Sequence, residues 1–284
     1  GQKMSKSKGN AVDPFDALST YGADAIRWYF YTNSAPWLPN RFHGKAVTEG
    51  QRKFMGTLWN TYAFYVLYAD IDNFDPTKYE LDYSTLSVMD KWLLSKLNTL
   101  IKTVDEYLSD YKVTETTRIL DNFVDEMSNW YVRRSRERFW VKDMPQDKIN
   151  AYMTLYTALV TLAKLSAPMI PFLSEEIYRN LVTSIDKNAP ESVHLCDFPV
   201  ACDSFIDKEL EEKMEEILNK YTKDKDNLIQ ILNEVQEYYG YVPQNAQVAI
   251  SEYLNLEMAE IYGVITFYSR FTLKPRGKYK KTKD

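Results

Sequence analysis

The stretch KWLLSKLNTLIKTVDEYL, residues 91–108, decides the fold class of this chain. Its apolar residues recur at steps of three and four, with lysines and acidic residues between them. They are Leu93, Leu97, Leu100, Ile101, Val104 and Leu108. Because an α-helix has about 3.6 residues per turn, this spacing puts them on one face. The stretch therefore predicts an amphipathic helix that buries this face against neighbouring elements.

Three other stretches extend the prediction to most of the chain. The same steps occur within residues 54–65, 119–127 and 152–165, and short polar breaks separate the stripes. Alternating apolar and polar residues, which are typical of strands, are scarce, and only residues 191–199 suggest a short extended segment. The sequence thus predicts an all-α fold, an antiparallel helical bundle.

The composition limits the classes of function. The chain has 284 residues, 45% hydrophobic and 26% charged, which is the balance of a globular protein with one or two domains. Its formal net charge is −5, so nucleic acid would bind only through local basic patches such as residues 133–138 or the tail from Lys274. No apolar run is long enough to span a membrane. The two cysteines, Cys196 and Cys202, are too few for a disulfide scaffold and match no zinc-ligand spacing, so we expect a reducing compartment and no metal site.

The first ten residues, GQKMSKSKGN, are basic and rich in glycine and serine, which suits either a solvated tail or a loop that meets negative charge. KMSKS at residues 3–7 resembles the lysine loop of class I aminoacyl-tRNA synthetases. The following VDPFDALSTYGADAIRWYFYTNSAPWLPNRF and the later SNWYVRRSRERFW resemble the isoleucyl-tRNA synthetase family in particular. This resemblance covers residues 1–213 and implies a helical anticodon-binding domain that binds isoleucine tRNA.

The resemblance also implies a site for ATP with Mg²⁺. Amino-acid activation expels pyrophosphate, and ammonium groups on a mobile loop stabilise the negative charge that grows in the transition state. By resemblance Lys6 has the larger catalytic role and Lys3 supports it, and the ATP-binding residues are Lys3, Met4, Ser5, Lys6 and Ser7. The family's HIGH-type motif is absent, since neither His43 nor His194 lies in such a setting. We therefore expect this chain alone to be inactive, with ATP and isoleucine held by an N-terminal half that it lacks.

An arginine cluster follows at residues 133–138. We predict that tRNA is bound by Arg133, Arg134, Arg136, Arg138 and Trp140, because guanidinium groups pair with phosphates and aromatic faces stack on unpaired bases. The alternative is a solvated arginine face that is paired with Asp125, Glu126 and Glu137. In either case we expect Trp130 in the core, since it continues the apolar stripe of residues 119–127.

A second resemblance begins after residue 217. LIQILNEVQEYYGYVP at residues 228–243 and KPRGKY at residues 274–279 resemble the N-terminal helical part of the small iron–sulfur subunit of NADH dehydrogenases. In that family a thioredoxin-like domain with a two-iron cluster follows. Such a cluster requires four cysteine ligands, and this chain has none after Cys202, so we expect no iron–sulfur cluster. Docking to NADH dehydrogenase subunits through residues 222–284 is the partner that this resemblance implies.

These observations predict four segments. They are a lysine loop with a connecting helix at 1–40, an anticodon-binding bundle at 41–206, a junction at 207–221, and a truncated helical piece at 222–284. The predicted function is that of the C-terminal part of a cytoplasmic isoleucine–tRNA ligase. The alternatives are a tRNA-binding module without catalysis and a docking fragment of an electron-transfer subunit. A natural fusion, an assembly error or a deliberate joining would each explain the two resemblances in one chain.

Overall fold

The computed structural model describes residues 4–9, 11–208, 227–239, 241–242, 246–247, 250–251, 254 and 256–273, without the side chains of Lys6 and Tyr238. Among these residues every element of regular structure is helical, so the predicted all-α fold is confirmed. The chain divides into two compact units between Ile206 and Asp207. No helix in the described ranges is long and apolar enough to cross a membrane.

Four helices begin the first unit: α1 (Pro14–Tyr21), α2 (Ala23–Asn33), α3 (Gly44–Gly50) and α4 (Gly56–Asp72). α1 starts at Asp13, whose carboxylate accepts the backbone N–H groups of Phe15 and Asp16, with Pro14 in the first turn. Both features favour a helix start, since they satisfy or remove N–H groups that have no partner within the helix. A π-helical turn at Gln51–Met55 joins α3 to α4.

Five helices complete the bundle: α5 (Val88–Ser109), α6 (Val113–Glu126), α7 (Arg133–Trp140), α8 (Gln146–Ser166) and α9 (Pro171–Tyr178). A second π-helical turn, Met127–Val132, joins α6 to α7 without a break, and a third, Arg179–Thr183, follows α9. Short 3₁₀ turns lie at Lys6–Lys8, Pro76–Lys78, Tyr83–Thr85, Val193–Leu195 and Asp203–Phe205. Residues 191–199, which suggested an extended segment, contain one of these turns instead of a strand.

α5 is the central helix of the bundle. It starts with a capping box, in which Ser87 Oγ accepts the N–H of Asp90 and the Asp90 carboxylate accepts the N–H of Ser87. The predicted stripe is buried between α6 and α8 at Leu93, Leu97, Leu100, Ile101 and Val104, with Leu108 half-buried at its end. Each such leucine contributes about 1.5–3 kcal/mol by leaving water, so this face holds the bundle together.

The second unit has a core of its own. Its described helices are α10 (Leu228–Tyr239) and α11 (Met258–Phe267). Buried apolar residues of this unit pack into one cluster, which includes Ile231, Leu232, Val235, Val242, Ile250, Leu254, Ile261, Ile265 and Phe271. The segment after α11 is bonded to α10, since the Thr272 N–H donates to Gln236 Oε1 over 2.9 Å. The predicted junction lies mostly outside the described residues, as does the basic tail from Lys274.

Candidate functional site

The lysine loop is described in part. Lys3 lies outside the described residues, and for Lys6 the backbone alone is described, at the start of the 3₁₀ turn Lys6–Lys8. Ser5 closes this turn, because its carbonyl oxygen accepts the N–H of Lys8 over 3.1 Å and its Oγ lies 2.6 Å from Ser7 Oγ. The turn keeps the backbone compact at the position of the two lysines that the sequence predicts to bind phosphate.

The loop is also open to solvent. Met4 and Ser7 are exposed, Ser5 is half-buried, and Gly9 has a φ of +65°, a left-handed conformation that glycine adopts without strain. An exposed loop with small side chains lets the backbone approach an anionic ligand closely. Its chemistry therefore fits a phosphate group.

The arginine cluster lies on one continuous helix formed by α6, the π-helical turn and α7. Arg133 and Arg136 are exposed, Arg134 is half-buried, and the Arg138 side chain is only 16% exposed. Trp140 ends the helix with 57% of its surface exposed, and its indole Nε1 donates to the Tyr68 hydroxyl over 2.7 Å. The five predicted residues thus share a helix but differ strongly in environment.

The Arg138 side chain forms ion pairs with two carboxylates of the bundle. Its Nη1 and Nη2 donate to Asp90 Oδ1 and Oδ2, each over 2.8 Å, which is the bidentate geometry of a strong ion pair. Nε and Nη2 also donate to the Asp147 carboxylate over 2.9 and 2.8 Å, and Nη2 to the Asp147 carbonyl oxygen over 2.9 Å. Arg138 thereby ties the end of α7 to the starts of α5 and α8.

Asp90 is the buried partner of this network, with no exposed side-chain surface. Its Oδ1 accepts the Tyr131 hydroxyl over 2.6 Å, and its Oδ2 accepts Ser87 Oγ over 2.7 Å. Burial by itself raises the pKa of Asp90, but the Arg138 guanidinium and the Tyr131 and Ser87 hydroxyls hold that pKa below its ordinary value. Burial and the adjacent Asp90 carboxylate raise the pKa of Tyr131 well above its ordinary value, so its hydroxyl remains a proton donor.

A second buried ion pair supports the same end of the bundle. Lys148 is 2% exposed, and its Nζ lies 2.7 Å from Asp72 Oδ2 and donates to the Val141 carbonyl oxygen over 2.8 Å. The Tyr152 hydroxyl donates to the same Asp72 carboxylate. Because Val141 directly follows α7, this pair fixes the end of the arginine helix against α4 and α8.

The Trp130 prediction is wrong. Trp130 is half-buried, whereas Tyr131 is completely buried and Phe139 is 1% exposed. The reason is the helix period: Tyr131 follows the buried Met127 by four residues and Phe123 by eight, which keeps it in the middle of the buried face, whereas Trp130 falls at the edge of that face. The Trp130 ring lies at the surface of the helix, where the Arg134 guanidinium stacks on it with 3.8 Å between its central carbon and the ring centroid.

The alternative interpretation of the cluster named three acidic partners on the same helix. Glu126 pairs with Lys96 of α5, with 3.3 Å between Nζ and Oε1, and Asp125 accepts the side-chain amide of Asn129 over 2.9 Å. The two carboxylates that hold Arg138 come from α5 and α8. Sequence reasoning missed both, since they lie far from the arginines along the chain.

The described residues offer no obvious metal centre. Cys196 is half-buried, Cys202 is exposed, and both are free thiols in the first unit. No group of three or more histidine, cysteine, aspartate or glutamate side chains in the described ranges is arranged to hold a metal ion.

Comparisons with family models match three parts of the chain. Residues 90–240 match the anticodon-binding domain of tRNA ligase, and residues 1–38 match the class I tRNA synthetases of the I, L, M and V group. Residues 214–281 match the thioredoxin-like [2Fe-2S] ferredoxin family. That last range contains neither cysteine nor histidine, so its residues do not fit an iron–sulfur cluster.

Isoleucine–tRNA ligases are among the similar curated proteins. This chain is 51% identical to the ligase of Clostridium novyi and 48% identical to that of Clostridium tetani, each over 97% of this chain and 27% of the relative. It is 50% identical to the ligase of Dehalococcoides mccartyi strain CBDB1, over 75% of this chain and 21% of the relative. The chain thus spans about a quarter of the length of these relatives. The clostridial alignments leave out only 3% of it, so they also run through most of the segment that matches the ferredoxin model.

A solved structure shares the fold. It is the agnB2 LeuRS of Agrobacterium radiobacter K84 in a ternary complex with tRNA and LeuAMS. The TM-score is 0.55 at 17% identity, over 73% of this chain and 23% of that one. The arginine helix and both buried ion pairs lie within the longest of the family matches, at residues 90–240, apart from Asp72. The chain therefore belongs to the family of anticodon-binding domains of tRNA ligases.

Proposed function

We propose that this chain is the tRNA-binding part of a cytoplasmic isoleucine–tRNA ligase, and that α7 with the preceding π-helical turn contacts the RNA. One observation carries the proposal: the residues that match the anticodon-binding family include a helix that presents exposed Arg133 and Arg136. Guanidinium groups in water can form bidentate pairs with phosphates. The names of the similar proteins support isoleucine as the amino acid.

The environments divide the predicted contact residues into two kinds. Arg133, Arg136 and Trp140 are exposed at the surface of the bundle, and the hydrogen bond from the Trp140 indole N–H to Tyr68 orients that ring. Arg138 acts as a positioning residue, since Asp90 and Asp147 occupy three of its nitrogen atoms. Arg134 stacks on Trp130 with its guanidinium nitrogens buried, so it would have to leave the ring before pairing with a phosphate.

The lysine loop would serve the catalytic reaction of the whole ligase. In that reaction ATP, bound with Mg²⁺, would supply the adenylyl group that is transferred to isoleucine and the pyrophosphate that leaves. Lys6, with support from Lys3, would pair with the pyrophosphate oxygens, and the small side chains of Ser5 and Ser7 leave the backbone accessible. Nucleotide and isoleucine would be held mainly by the remaining three quarters of the relatives' length.

Titration of the 284-residue chain with isoleucine tRNA tests the RNA-binding part of the proposal. Arg133→Ala/Arg136→Ala should weaken binding and lower the slope of log affinity against log salt by about two units, close to one per lost phosphate contact. A control variant, Arg179→Ala/Lys187→Ala, removes the same charge at exposed residues beyond α9 and should keep the wild-type slope. Equal slopes for the two variants would show that the arginine helix does not touch RNA.

A further inference from the structure

A second basic surface lies away from the arginine cluster. A surface cavity of about 740 Å³ opens beside α3 and the π-helical turn that follows it. The residues that matter for its chemistry are Tyr21, Gly44, Lys45, Glu49, Arg52 and Lys53. No local sequence pattern indicates this group, because its members are spread over 33 positions and two helices.

The charge of the cavity is positive. Three cations and one carboxylate, Glu49, line the cavity, and all four side chains belong to exposed residues. Among the described residues neither Lys45 nor Arg52 has an ion-pair partner. Lys53 is 63% exposed and pairs with Asp121 of α6 over 2.7 Å, a hydrogen bond that raises its pKa and keeps it charged. Unpaired cations that converge on a concave surface favour an anionic ligand.

The wall of the cavity is built by close packing. A Cβ on Gly44 would overlap the Tyr21 hydroxyl, so glycine is what allows the Tyr21 ring to close this side. The ring also packs edge-to-face on Phe42, with 6.2 Å between centroids. An aromatic side chain beside cations is suited to a nucleotide, which offers both a phosphate and a base.

The segment that carries two of the cations is packed into the core. In the π-helical turn Gln51–Met55, Arg52 and Lys53 are exposed while Phe54 and Met55 are buried. Phe54 stacks on Trp28 of α2 with 3.7 Å between the ring centroids. Because the buried residues fix the backbone, the two cations are held at defined positions and only their flexible side chains have to order on binding.

We propose that this cavity binds phosphodiester groups of the same tRNA that the arginine helix contacts. The proposal rests on the proposed function, since it assigns a second contact to that RNA. The cavity and the arginine helix are directly connected. Lys53 of the cavity pairs with Asp121 on α6, and Asp121 precedes Arg133 on the same continuous helix. At about 1.5 Å per residue, the 12 intervening steps separate them by roughly 18 Å along the helix axis. One RNA backbone can therefore reach both.

Four forms of the 284-residue chain test the cavity by titration with isoleucine tRNA. They are wild type, Lys45→Ala/Arg52→Ala, Glu49→Lys, and the control Arg179→Ala/Lys187→Ala. At a slope of about 0.7–0.9 per phosphate contact, the double cavity variant should show a ratio of affinities between about 50 and about 200 mM salt that is smaller by roughly tenfold. Glu49→Lys should bind more tightly and with a steeper slope, a gain that misfolding cannot produce.

A direct measurement complements the titration. Lys45 is exposed, so an amine-reactive reagent should modify it in the free chain and modify it several-fold more slowly when tRNA is bound, while Lys187 reacts equally in both cases. Wild-type chain that binds no tRNA would refute the proposed function and this proposal with it. Binding that is lost in Arg133→Ala/Arg136→Ala but unchanged in both cavity variants, with no protection of Lys45, would overturn the cavity alone.

Discussion

Replacing Asp90 with asparagine should destabilise the first unit strongly. Asp90 is fully buried and forms two hydrogen bonds of 2.8 Å with the Arg138 guanidinium, which is itself only 16% exposed. An asparagine keeps the size of the side chain but removes the negative charge. Breaking a buried pair by neutralising one partner costs about 3–5 kcal/mol, because the other charge stays buried.

The chain supplies a matched control. Asp147 binds the same guanidinium over 2.8 Å, but its side chain is 59% exposed. An exposed ion pair contributes up to about 1 kcal/mol, so Asp147→Asn should cost little. Since about 1 kcal/mol shifts Tm by roughly 2–4 °C for a unit of this size, we expect a fall of about 6–20 °C for Asp90→Asn and under about 4 °C for Asp147→Asn.

Thermal and urea unfolding followed by far-ultraviolet circular dichroism would measure both variants. Arg138→Lys should also destabilise the unit although it keeps the positive charge, since an ammonium cannot make the planar two-fold contact with Asp90. If Asp90→Asn lost no more than Asp147→Asn, the buried pair would not hold α7 in place. The proposal that Arg138 positions α7 would then be refuted.

Three further predictions follow from the same contacts. The loss caused by Asp90→Asn should shrink as pH falls below about 4, measured by unfolding at several pH values: the folded-state pKa of Asp90 is lowered, so its contribution is complete above the unfolded pKa and is lost as pH falls through the folded one. Tyr131→Ala should cost about 3–5 kcal/mol and Trp130→Ala clearly less, since only Tyr131 is in the core; equal losses in urea unfolding would contradict this difference in burial. The chain should show no isoleucine-dependent ATP–pyrophosphate exchange, because it matches the class I synthetase model only at residues 1–38; exchange above background would refute this.

The sequence predicted the parts of the fold that depend on local period. Leu93, Leu97 and Val104 are buried on α5 as their spacing indicated, because a single helix face decides their environment. The expectation that Trp130 lies in the core was wrong, because Trp130 and Tyr131 both follow Met127 at a step that a helix allows, three and four residues, and packing against the neighbouring helices decides between them.

The candidate site was predictable in composition but not in arrangement. All four arginines of residues 133–138 are on one helix, yet Arg138 is held by Asp90, 48 positions earlier in the chain. A contact between residues so far apart in the chain cannot be predicted from a local sequence pattern. The same holds for Lys45 and Arg52, whose approach to Tyr21 depends on how α1 and α3 pack.

The π-helical turn Met127–Val132 has a consequence for insertions and deletions during evolution. A turn of this kind contains one residue more than the α-helical turn it replaces, so it is the point in the helix where a single-residue deletion can be absorbed without breaking the backbone. Because the wide turn accommodates its extra residue locally, such a deletion would restore an α-helical turn and leave all later residues close to their present orientation. Arg138 would keep its contact with Asp90, and Arg133 and Arg136 would keep facing the same side of the bundle. A one-residue gap at this turn in a related ligase would therefore be compatible with an unchanged basic surface, whereas a one-residue gap elsewhere in the helix would turn the later arginines by about 100° around the axis.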